Sequence, residues 1–253
     1  MILVHRITTF LLAAVLAAGF SVLIFWPSAV LFAVLLFLCV PLLLGRLLLW
    51  RVRKASFWIF WSQAIFFTVS ALLFYLFLED QGMKLLLGIS TVVLMWLYAE
   101  NLFTFHHLPA AYQAYALEYL SLVLTLVGVF FLVSAGFGAQ LFLQLPVWLP
   151  AIAVFLATAI TTLGVFWVSK IDLRSSRGFA LMIAVVMTEF YIALSMLPTS
   201  FLANAAAFTC GLYLLLGLSR AHHLERLSKE VLRQYLIVGG GLLVLVFATA
   251  RWF

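Results

Sequence analysis

The sequence predicts an all-α integral membrane protein of about nine transmembrane helices, and three observations predict it. Apolar residues fall into nine runs separated by short polar punctuation, and each run approaches the roughly 20 residues a helix needs to cross a hydrocarbon core. The chain is 67% hydrophobic and only 9% charged, whereas a soluble domain carries about 25% charged residues; a water-soluble surface cannot be built from that stock. Finally, if the runs are spans, twelve of the fourteen basic residues fall on one face of the membrane, the bias that sets orientation in multi-pass proteins.

The first run, 7–26, follows His5-Arg6 and opens like a secretory signal, but it continues through Phe25 to Trp26. That is longer than a signal's apolar core, so it is read as a retained anchor. A tight connection, Trp26-Pro27-Ser28, leads to the second run, 28–45. The basic turn with Arg46, Arg51, Arg53 and Lys54 precedes the third, 57–78, and the acidic pair Glu79-Asp80 precedes the fourth, 84–105. Leu108-Pro109-Ala110 turns the chain into the fifth, 113–134, after which Gly136 and Gly138 predict an exposed turn. The sixth is 147–168. Lys170, Arg174 and Arg177 lead to the seventh, 178–197, and Leu197-Pro198-Thr199 to the eighth, 200–218. In the ninth, 234–252, Gly239-Gly240-Gly241 predicts close helix packing.

The connection 219–233 is the one long polar stretch. Ala221, Leu224, Leu227, Val231 and Leu232 fall on one helical stripe, and Glu225 precedes Lys229 by four, a stabilising order. It is predicted to be an amphipathic connector helix on the cytoplasmic surface. The N-terminus is then cytoplasmic and the C-terminus external, in what is expected to be the cell membrane. Arg46, Arg51, Arg53, Lys54, Arg220, Arg226, Lys229 and Arg233 are placed to meet anionic lipid headgroups. The charge of +6 is accounted for at the span ends and calls for no nucleic-acid partner. Cys39 and Cys210 lie inside apolar runs and behave as small hydrophobes.

With no polar segment long enough to fold alone, residues 1–253 read as a single membrane domain. The three proline turns divide it into units of three helices, 1–80, 81–170 and 171–253. In the last two, Glu100 and Glu189 each stand nine residues before the proline, Pro109 and Pro198. Three is an odd number, so successive units would enter the membrane in opposite senses, as inverted repeats do. The plainer account is that proline is common at helix ends and turns.

Carboxylates at membrane depth are costly unless paired, protonated or hydrated, which makes Glu100, Glu189 and Glu118 the candidates for proton or ion handling. Glu118 follows Pro109 by nine residues as Glu100 precedes it by nine, so the two are expected at similar depth on antiparallel neighbours, facing the bundle interior. Asn101, His106, His107 and Tyr115 populate the same end, where imidazoles could relay a proton or simply form an interfacial belt with tyrosine. Adjacent histidines lack the i, i+4 spacing of a helical metal site, so no metal is expected; no cofactor signature is present, and no nucleophile or phosphate-binding motif. Three function classes fit: a proton- or ion-coupled transporter of small solutes, a non-catalytic membrane subunit or scaffold with a membrane-protein or homo-oligomeric partner, and an enzyme acting on lipid-linked substrates.

Overall fold

The computed structural model describes residues 2–113 and 115–250. Among them, nine helices are long and apolar enough to cross a membrane, with no strand. The chain is a multi-pass α-helical membrane protein. Its helices are α1 (Ile2–Phe25), α2 (Val30–Leu47), α3 (Ala55–Tyr75), α4 (Gln81–His107), α5 (Ala116–Leu143), α6 (Trp148–Val168), α7 (Leu173–Ser195), α8 (Phe201–His223) and α9 (Lys229–Thr249). They form two compact units, 1–124 and 125–253, which divide within α5.

Local chemistry explains where the helices start and stop. Asp80, Ser200 and Ser228 cap α4, α8 and α9 by accepting from the amides of Met83, Ala203 and Val231, satisfying donors that a helix start leaves open. Pro27 and Pro109 each open a short 3-10 turn. The ends of α2, α6 and α8 share one device. Trp50, Ile171 and Arg226 donate back to the carbonyls of Gly45, Phe166 and Ala221, while Leu49, Lys170 and Glu225 donate to Arg46, Trp167 and His222. This is the Schellman closure, and it puts Leu49, Lys170 and Glu225 at φ 57°, 60° and 54°, where glycine is the usual occupant.

Two expectations are corrected here. Residues 219–233 are not one amphipathic helix: α8 runs on to His223, Glu225 reverses the chain, and α9 starts at Lys229 under its Ser228 cap. The stripe was real, but cap and left-handed residue lay hidden inside it. Nor do Gly136 and Gly138 mark a turn. They lie inside α5, which continues to Leu143, and the chain turns at Gln144 and Pro146. A side chain at Gly136 would meet the Tyr191 hydroxyl and Pro150, so that glycine serves close packing.

In the first unit α1 packs along both α2 and α4, burying Leu12, Leu16 and Phe20. Contact in a membrane is driven by van der Waals fit rather than by expulsion of water, and the fit is visible: the Phe37 ring covers Gly19 and Phe20 covers Gly88. Polar ties fix the register. The Tyr98 hydroxyl lies 3.2 Å from the Phe60 carbonyl and 3.3 Å from Gln63 Oε1, and Gln63 Nε2 donates to the Ser121 carbonyl at 2.6 Å. In the second unit α6 packs on α7, α7 on α8 and α8 on α9. Tyr191 is fully buried there, its ring stacked on Phe137 at 4.4 Å and its hydroxyl accepting from Gln140 at 2.7 Å. The glycines of α8 and α9 interdigitate with their neighbours, Tyr235 lying over Gly217 and Leu214 over Gly239.

Candidate functional site

Ionisable side chains meet within the first unit where the start of α1 crosses the end of α4. On α1, Arg6 and Thr9 stand one turn apart; on α4, Glu100, Phe103 and His107 repeat at three and four residues and so share one face. The two faces meet. Thr9 Oγ1 lies 3.0 Å from Glu100 Oε2 and 2.8 Å from the Arg6 carbonyl, so its single proton is shared between two acceptors. Arg6 Nε stands 3.7 Å from Glu100 Oε1. Glu100 is therefore paired across two helices, the first way a membrane carboxylate escapes its desolvation cost. With the Arg6 side chain 58% exposed and that of Glu100 27%, the pair contributes no more than about 1 kcal/mol.

Beside the carboxylate the rings form a column. His5 stacks on His107 with centroids 4.5 Å apart, and His107 stacks on Phe103 at 5.2 Å. His106 turns the other way: its Nδ1 lies 3.0 Å from the Leu102 carbonyl of its own helix, and its ring meets Phe60 and Phe105 edge-on. Asn101 likewise donates to its own helix, at the Leu97 carbonyl. These contacts tie both side chains to their own helix.

Glu118 stands on the next helix after Glu100. Residues after Pro109 form a 3-10 turn and a loop, so α5 begins at Ala116 and Glu118 lies in its first turn, a favourable place for a negative charge at a helix N-terminus. Glu100 is seven residues inside α4. Tyr115 is exposed, at φ 68°. Glu189 differs from Glu100 altogether: its side chain is exposed on α7, six residues before the helix end, with no hydrogen bond or ion pair among the described residues.

The predicted lipid-surface residues stand at helix ends. Arg46, Arg51, Arg53, Lys54, Arg226, Lys229 and Arg233 are exposed and Arg220 is half-buried. Among the described residues no group of His, Cys, Asp and Glu could hold a metal ion. In the second unit, His223 lies 4.6 Å from Phe179 and 5.4 Å from Phe166, ring to ring. Sequence reasoning missed Arg6 and Thr9 as partners of Glu100, and the part-buried hydrogen bond between Gln140 and Tyr191. The i, i+3 spacing of Arg6 and Thr9 was the available signal; for Tyr191 there was none. Compared with protein-family models, with curated proteins and with solved structures, the chain finds no match.

Proposed function

We propose that this protein is a non-catalytic membrane subunit whose α7 face receives a transmembrane helix of a partner protein, with Glu189 as the polar contact. One observation carries the reading: an exposed carboxylate within a span, with no partner among the described residues. Facing lipid, that group costs several kcal/mol; facing a donor on another helix, it becomes an adhesive contact. Its surroundings suit a helix. Leu181, Met182, Val185 and Val186 are exposed one and two turns before it, on the stripe a helix presents at i, i+3 and i+4. A partner with Lys, Arg, His or an amide at matching depth fits best, since a second copy would set Glu189 against itself. A photoreactive residue in place of Met182 or Val186 should crosslink to one polypeptide in intact membranes, while one in place of Leu245 on α9 should label lipid. Equal labelling of lipid from all three positions would overturn the reading.

A second reading, a proton- or ion-coupled transporter of small solutes, rests on the cluster of Glu100, His5 and His107. It requires Glu100 to exchange a proton, so Glu100→Gln would abolish a pH-dependent flux while the protein remains folded. The subunit reading expects no such loss. The topology proposed for either is the same: the basic turns 46–56 and 219–233 face the cytoplasm and the C-terminus lies outside, as twelve of fourteen basic residues favour. An impermeant reagent that labelled a cysteine at Ser56 from outside the cell would contradict it.

A further inference from the structure

The geometry points to a lipid site in the first unit: a groove between α2 and α3 that holds one acyl chain of an anionic phospholipid, with Lys84 at its mouth as the headgroup contact. At one end of the groove α2 and α3 are fastened together. Near the turn that joins them, Trp61 Nε1 donates to the carbonyl of Pro41 at 3.0 Å, and Phe57, Trp58 and Trp61 pack ring to ring. Between the helices lies a cavity of about 700 Å³, lined on one side by residues from Pro27, just before α2, to Pro41 and on the other from Ile65 to Leu76, just after α3. Those stretches rise about 21 and 16 Å at 1.5 Å per residue, close to the ~15 Å of one leaflet's hydrocarbon. Its depth is that of a lipid chain.

The lining chemistry agrees. Thr68 donates its hydroxyl proton to the Ala64 carbonyl and Tyr75 to the Leu23 carbonyl, so both hydroxyl protons are committed and the rest of the wall is aliphatic or aromatic except at one point. That point is Lys84, whose Nζ lies 5.3 Å from the Tyr75 ring, with no ion pair among the described residues. Glu79 and Asp80 lie in the connection just before it; Asp80 is engaged in capping α4. The groove opens sideways, since Val34, Leu38, Val69 and Leu73 are exposed along it. An apolar slot one leaflet deep with a single cation at the headgroup end matches a phospholipid whose phosphate carries net negative charge. A partner helix would fill the slot but leave the lysine without a reason.

Spin-labelled phosphatidylglycerol and phosphatidylcholine, added in turn to the full chain in nanodiscs, measure this directly. Wild type should immobilise both labels beyond the boundary shell and favour phosphatidylglycerol roughly fivefold, the selectivity one lysine near a headgroup supplies. Lys84→Gln should bring that preference to about one while the chain-binding signal remains. Val69→Trp or Leu73→Trp, two substitutions at exposed positions, should remove the strongly immobilised component for both lipids. The proposal is overturned if wild type shows boundary lipid only, if Lys84→Gln keeps the preference, if both tryptophan variants bind as wild type does, or if a cysteine at Val69 crosslinks to another polypeptide instead of being shielded by lipid.

Discussion

The imidazole of His5 lies flat on that of His107, ring centroids 4.5 Å apart and planes 18° from parallel. The two residues are about a hundred positions apart in sequence, and their contact fastens the start of α1 to the end of α4, with Phe103 continuing the column. Stacked rings contribute about 0.5–1.5 kcal/mol beyond burial. His107→Ala should lower the thermal stability of the detergent-purified protein by about 1 kcal/mol, and His107→Phe, which keeps a ring there, should restore most of it. Equal stability of all three proteins would show that the column contributes nothing.

The α8 and α9 pair depends on close approach at glycine. Any Cβ at Gly217 would run into the Tyr235 ring, and Gly239 is the one residue of α9 that is buried among the described residues. Overpacking of this kind costs about 1–3 kcal/mol. Gly217→Val should therefore release α9, read as loss of disulfide crosslinking between cysteines placed at Leu214 and Gly239, which face each other. Tyr235→Ala in the same chain should recover it.

Lys170 closes α6 at φ 60°, a conformation that costs a residue with a Cβ about 1–2 kcal/mol. Lys170→Gly should raise the unfolding free energy by about 1 kcal/mol, measured by denaturant titration in micelles. A destabilised variant would mean that the lysine's charge at this helix end outweighs the backbone gain.

These examples mark what was legible in the sequence. The spans were legible because each is a long apolar run bounded by charge or proline, and alternation of basic turns corroborated their number. Helix ends were less so. In α5 the glycines at 136 and 138 look like a turn and are packing positions, while the end of α8 is fixed by a left-handed Glu225 that no residue type announces. The Glu100 site was half legible: the carboxylate's cost at membrane depth singled it out, yet Thr9 is 91 residues away, and counting from Pro109 pointed to Glu118 instead. Periodicity places residues on one helix face; it does not say which helix lies opposite.

Glu189 is proposed to meet a helix of another protein. Native mass spectrometry of the chain released from polymer discs cut from its own membrane measures this most directly. Wild type is predicted to leave the disc bound to a second polypeptide with a basic or amide side chain in a transmembrane helix. Glu189→Leu, which removes the polar contact and suits lipid, is predicted to leave as the 28.3 kDa chain alone, and Glu189→Gln, which still hydrogen-bonds, to retain a reduced share of the complex. A wild-type chain released alone, or a Glu189→Leu chain that keeps its partner in full, would contradict the claim.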